Sequence, residues 1–177
     1  LINEHIQYMS NTIDHFRDFL KKNDNKKDFI KLDEVFYDSY KLIKNSFEAQ
    51  GIIFEINTLD SLKNIYLCRN DLLQIILNIL NNAKDAFDIN NIKNPKITIS
   101  FFQDELFQTI KILDNAGGID ESIIDNIFTP YFSTKKEKNG TGLGLYICKM
   151  IIEKHLNGQI SVENIDNGAL FTIKIAL

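Results

Sequence analysis

Apolar positions change rhythm along the chain, and each rhythm predicts a different element. Ile2, Ile6, Met9, Ile13, Phe16 and Leu20 recur at spacings of 4, 3, 4, 3 and 4. That spacing fits an ordinary amphipathic helix and, better, the narrow seam of a helix that packs against partner helices in a bundle. The polar run "KKNDNKKD" then breaks the seam and reads as a linker over residues 23–32. From residue 33 onward the pattern alternates between helix and strand. "LDEVFYDSYKLIKNSFEAQ" is an amphipathic helix with Gly51 placed to cap its C-terminus. "IIFEIN" and "IYLC" are short strands, and "RNDLLQIILNILNNAKDAF" is a long helix with Asn70 or Asp71 as its N-cap. "KITISFF" and "FQTIKIL" form an antiparallel pair, "ESIIDNIF" a short helix, and "GLGLYICKMIIEKHLNG" a second long helix. "QISVENI" and "ALFTIKIAL" close the chain as a hairpin through "DNG". Helices interleaved with antiparallel strands predict an α+β fold, a two-layer sandwich with a mixed, mainly antiparallel sheet under long helices.

Composition narrows the class. The 177 residues carry 44% hydrophobic and 25% charged side chains, the balance of a soluble globular domain. A formal net charge of −4 argues against a nucleic-acid partner. No apolar run approaches the roughly 20 residues that span a bilayer, so membrane attachment is expected only through regions outside this chain. The chain starts at Leu1 rather than Met, as expected of a piece of a longer protein. Cys68 and Cys148 sit in apolar runs and read as small buried residues of a reducing, cytoplasmic compartment. His5, His15 and His155 are scattered and give little support to zinc or histidine-based nucleophilic chemistry.

Several polar residues interrupt this pattern. Asn78 and Asn82 stand four apart on one face of a helix, with Asp85 a turn further on. Asn is a poor helix former, and its amide oxygen suits a hard cation such as Mg²⁺, which keeps most of its waters. Exposed Asn on a helix is also ordinary in so Asn-rich a chain. "ILDNAGGID" ends a strand in Asp114 and turns through Gly117 and Gly118. It is sound turn chemistry, and equally a carboxylate at a pocket mouth beside glycines that let a flat ring approach. "FTPYFSTKKEKNGTG" has the composition of a lid, in which Lys135 could reach a phosphate. In "EKNGTGLGLYICK" the glycines at 140, 142 and 144 precede an apolar helix, where backbone N–H groups can receive an anion. The P-loop pattern is absent, and a Rossmann G-x-G-x-x-G would need Gly where Leu145 stands.

Taken in chain order, "LNILNNAKDAF", "DNAGGI", "IFTPYFSTK" and "NGTGLGLYICKMIIEKHLNG" resemble the ATP-binding domain of sensor histidine kinases, within the wider GHKL ATPase superfamily. The likeness covers residues 33–177. Residues 1–22, through "MSNTIDHFRDFLK", resemble the second helix of the dimerisation and histidine-phosphotransfer hairpin. The resemblance implies ATP and Mg²⁺ as cofactors, a homodimer through the helix bundle, and a response regulator receiver domain as partner. It implies that Asn82 coordinates Mg²⁺ with Asn78 beside it, and that Asp114 accepts a hydrogen bond from the adenine amino group with Gly118 against the ring. Gly142, Leu143 and Gly144 would meet the phosphates and Lys135 would sit in the lid. Asp85, Gly140, Thr141, Leu145 and Thr172 complete the implied contacts. Ala116 stands where the family more often has Gly.

The hydrolysing relatives resemble one another in placing Glu four residues before the Mg²⁺-binding Asn. Here that position is Asn78, which cannot serve as a base at neutral pH. Transfer of the γ-phosphoryl group to a supplied nucleophile is therefore favoured over hydrolysis. The resemblance places the accepting histidine on a helix before residue 1, since neither His5 nor His15 is followed by an acidic residue. The chain alone is expected to bind Mg-ATP without phosphorylating itself. The alternatives are a non-catalytic nucleotide-binding dimerisation module and a serine-directed GHKL kinase; the heptad helix argues against the second.

Overall fold

A computed structural model describes residues 26–58, 62–134 and 141–177. The helix expected over 1–22, Lys135 and Gly140 lie outside the described residues. Described in chain order, the elements are β1 (Lys27–Ile30), α1 (Leu32–Glu48), β2 (Ile53–Asn57), β3 (Ile65–Cys68), α2 (Arg69–Asn90), β4 (Lys96–Gln103), β5 (Phe107–Asp114), α3 (Gly144–Lys154), β6 (Gly158–Ile165) and β7 (Gly168–Ala176).

Five strands form one sheet in the order β2-β4-β5-β7-β6, with β2 parallel to β4 and every other pair antiparallel. A parallel neighbour needs a crossover, and α2 lies on the connection from β2 to β4. Period-2 alternation turns Ile97, Ile99 and Phe101 of β4, Ile110 and Ile112 of β5, and Phe171, Ile173 and Ile175 of β7 into one core. The helices complete that core with Val35 and Phe36 of α1, Leu72, Ile76 and Leu80 of α2, and Ile147 and Ile151 of α3. The rings of Phe36 and Phe101 meet edge-on at 5.9 Å, fixing α1 over β4. The expected two-layer α+β sandwich is the observed fold.

Local chemistry explains most of the element ends. Gly51 takes a left-handed φ of +70°, which lets its N–H bond the Glu48 carbonyl and the Ile52 N–H bond the Phe47 carbonyl. That is the Schellman closure expected of a glycine there. Elsewhere the structure departs from expectation. Lys27–Ile30 is a strand paired antiparallel with β3, within the stretch read as linker. Only Ile30 of that strand is buried, so its sequence carries no alternation to read. Residues 121–128 hold only a short 3-10 turn, Ile124–Asn126, because Asp120 takes the Ser122 N–H and hydroxyl and ties the segment into a turn. Helix α2 starts straight out of β3 with no side-chain cap. Asp71 instead pairs with His155 Nδ1 at 3.0 Å, fastening the first turn of α2 to the end of α3. His155 is thus half-buried and partnered.

Candidate functional site

Three elements of the sandwich end around one cavity of about 320 Å³, within the size range of small-molecule sites. Strand β5 delivers Asp114 to its floor. This residue is 6% exposed, and its Oδ1 accepts two backbone N–H groups, from Ala116 at 2.9 Å and Ala169 at 3.1 Å. Both bonds fall on Oδ1, so Oδ2 is the oxygen available to a ligand. Burial pushes the carboxyl above its ordinary value, against the pull of those two N–H groups. Beyond Asp114 the chain turns through Gly117 and Gly118, both left-handed at φ +100° and +77°, and Gly118 lines the cavity.

Helix α2 forms the facing wall. Asn82, Asp85 and Ala86 line the cavity from successive turns. Thr141, Gly142, Gly144 and Leu145 close its far end, where α3 begins at Gly144 without a side-chain cap. An uncapped helix start leaves N–H groups aimed at whatever occupies that end. Gly144 has no steric need to be glycine on the protein's account. Its φ is not left-handed, and a Cβ there would meet Asn78 Cγ at 3.9 Å and Oδ1 at 4.0 Å, ordinary contact. Gly142 differs: at φ +66° it presses on the backbone of Tyr131 and Phe132, the segment from which Phe132 enters the cavity wall.

Of the described residues expected at the site, eight line one cavity: Asn82, Asp85, Asp114, Gly118, Thr141, Gly142, Gly144 and Leu145. Three do not. Asn78 turns toward α3, where its Nδ2 donates to the Gly144 carbonyl at 3.4 Å and to Cys148 Sγ at 3.6 Å. Leu143 is buried, and its N–H reaches the Thr141 hydroxyl at 3.4 Å. Thr172 lies on the opposite face of the sheet, since alternation along β7 sends Ala169 and Phe171 to the cavity. The residues missed are mostly apolar, among them Ala86, Ile119, Ile127, Ala169 and Phe171, with Ser133 and Thr134 the polar exceptions. Their signal was the alternation of β7 and the helical spacing of 82 and 86, which placed them beside the polar residues already singled out.

The implied groups fit these residues. An acceptor on the floor, a glycine turn and apolar walls suit a purine, and the uncapped helix start suits phosphates. The Asn82 amide oxygen suits a hard cation shared with them. Fold and site together define an α+β sandwich with a small-molecule cavity that ends at a helix N-terminus.

Residues 68–177 match the family described as histidine kinase-, DNA gyrase B-, and HSP90-like ATPase. The chain belongs to this ATP-binding family. It is 32% identical over 146 residues to the sensor histidine kinase ZraS of Salmonella typhi, covering 81% of this chain and 30% of that protein. It is 40% identical over 128 residues to the histidine-protein kinase AtoS of Escherichia coli K12, covering 71% of this chain and 20% of that one. The chain spans between 12% and 31% of the length of the curated relatives it matches first. The nucleotide-free catalytic domain of histidine kinase ThkA superposes with a TM-score of 0.75 at 30% identity, over 85% of this chain and 95% of that one. Among the described residues, no helix is long and apolar enough to cross a membrane.

Proposed function

We propose that this chain is the catalytic domain of a sensor histidine kinase, with the cavity beside Asp114 holding Mg-ATP for transfer of its γ-phosphoryl group to a histidine. The observation that carries this reading is the joint placement of Asp114, Gly118, Asn82 and the uncapped start of α3 around one cavity. Asp114 Oδ2 would accept the adenine amino hydrogen while Ile119, Ala169 and Phe171 exclude water from the ring. Asn82 would hold Mg²⁺, which supplies charge neutralisation on the phosphates. The N–H groups at the start of α3 would orient the phosphate chain, a positioning role on which phosphoryl transfer chiefly depends.

The state of Asn78 favours transfer over hydrolysis. No carboxylate stands at that position, and Asn78 Nδ2 donates to the first turn of α3; an amide does not take a proton from water at neutral pH. The nucleophile would come from a histidine on a helix before residue 1, brought to the open end of the cavity. Dimerisation through residues 1–22 and relay to a response regulator belong to the same proposal. The fold neighbour ThkA is known in complex with the response regulator TrrA.

Calorimetric titration of ATP with and without Mg²⁺, on the wild type and on Asn82→Ala, tests the proposal. Binding tighter with Mg²⁺ in the wild type, with the gain lost in Asn82→Ala, is expected. No ATP binding by the wild type would overturn it.

A further inference from the structure

Among the described residues, strand β6 is an edge of the sheet and pairs only with β7. Near its end Asn164 stands opposite Ala169 in the ladder, and its side chain reaches across to the turn that follows β5. The Ile119 N–H donates to Asn164 Oδ1 at 2.8 Å, and Asn164 Nδ2 donates to the Ile119 carbonyl at 2.6 Å. One amide thus supplies both the acceptor and the donor that a neighbouring strand would. Asn164 Oδ1 also occupies the space a side chain at 118 would need: a Cβ on Gly118 would lie 2.8 Å from it. The same turn is held from the other side by Asn90 of α2, whose Nδ2 donates to the Ala116 carbonyl, and by Asn167, whose carbonyl accepts the Gly117 N–H at 2.7 Å.

The Asn164–Ala169 rung therefore touches both polar walls of the cavity floor. Ala169 gives its N–H to Asp114 Oδ1, while Asn164 fixes Gly118 and Ile119, which line the cavity. A turn with two consecutive left-handed glycines has much conformational freedom to lose on binding. We infer that Asn164 is a positioning residue, one that holds the Gly118–Ile119 turn in its base-binding geometry relative to Asp114. The inference rests on the nucleotide reading above. It concerns the base end only: Asn164 neither lines the cavity nor reaches the start of α3.

The test compares Mg-ATP with Mg-tripolyphosphate, which has the phosphates and no base, by calorimetry on the whole chain. Asn164→Ala is expected to weaken ATP about tenfold and tripolyphosphate by less than about twofold. Asn164→Asp keeps the acceptor for the Ile119 N–H and loses the donor, so it too should weaken ATP selectively; it decides the matter if the alanine variant does not fold. Undiminished ATP affinity, or equal weakening of both ligands, would overturn the inference. Amide hydrogen exchange in the nucleotide-free protein supplies an independent arm. In Asn164→Ala exchange should accelerate at Ile119 and not at Ile112 in the core of β5; unchanged exchange at Ile119 would overturn the clamp. Failure of the wild type to bind ATP would sink the nucleotide reading, leaving the exchange arm to decide whether Asn164 holds the turn.

Discussion

Gly168, the first residue of β7, stands so close to Asp114 that a Cβ on it would lie 1.6 Å from the Asp114 carbonyl oxygen. No rotamer relieves such a contact, because both partners are main chain. Gly168→Ala must push β7 away from β5 just where the Ala169 N–H bonds Asp114 Oδ1. A loss of about 3 kcal/mol in stability is expected, together with loss of ATP binding. Urea denaturation measures the first; an alanine variant with an unshifted midpoint would mean the strands do not meet this way.

Asp114 gives a pH signature of unusual sign for a carboxylate. Burial raises its folded-state value above the ordinary 3.8. Between the two values the folded protein binds the proton and the unfolded chain does not. The stability this group contributes is therefore fully present below 3.8 and is lost as pH rises through the raised value. At neutral pH the buried charge is a cost to stability. Asp114→Asn removes the charge and can still accept the Ala116 and Ala169 N–H groups, while presenting an NH₂ where the ligand's amino group needs an acceptor. The variant should be at least as stable as the wild type at pH 7, with the difference narrowing toward 3.8, and should bind no ATP. Thermal unfolding across this pH range checks the sign; a variant less stable at pH 7 contradicts it.

The buried thiol of Cys148 provides a probe of the α2–α3 packing. It is 0% exposed, beside Asn78 Nδ2, and burial pushes its pKa up to about 12. At pH 8 about one such thiol in ten thousand is ionised. Iodoacetamide should leave Cys148 unlabelled in the native protein and modify it fully in urea. Mass spectrometry of proteolytic peptides separates Cys148 from Cys68, and native labelling at Cys148 would mean α3 opens readily from α2.

What the sequence disclosed depended on whether a feature was local or chemically marked. Gly51, the β6–β7 hairpin and the β4–β5 pair depend on neighbours in sequence, so turn chemistry and alternation revealed them. Asp114, Asn82 and the glycines at 142 and 144 were visible as polar or flexible residues out of place. The orientation of Asn78 was not, because whether a helix residue meets a cavity or a second helix depends on where α3 packs. Nor was the face taken by Thr172, for a simpler reason: one step along a strand reverses the face, and the chemistry of a threonine does not say which face is wet. β1 hid in a charged run because pairing with β3, rather than a buried face, defines it. Ala86, Ile119 and Ala169 carry no signal apart from their spacing, yet they form much of the cavity wall.

The two glycines at the end of the cavity separate what the fold needs from what a ligand needs. Gly142 is held at φ +66°, and a Cβ there would lie 2.5 Å from the Tyr131 carbonyl carbon and 2.8 Å from Phe132 N. Gly142→Ala should therefore lose about 2 kcal/mol of stability through strain and crowding, and its ATP affinity with it. Gly144 opens α3 with no left-handed φ, and a Cβ would rest 3.9 Å from Asn78 Cγ. Alanine is the better helix former by about 1 kcal/mol, so Gly144→Ala should unfold no earlier than the wild type. Its methyl would nonetheless stand at the helix start where phosphates must approach the N–H groups, lowering ATP affinity by about tenfold or more. Unfolding curves and ATP titrations of the two variants make the comparison. Stable Gly144→Ala protein that binds ATP as tightly as the wild type would place the phosphates away from the start of α3.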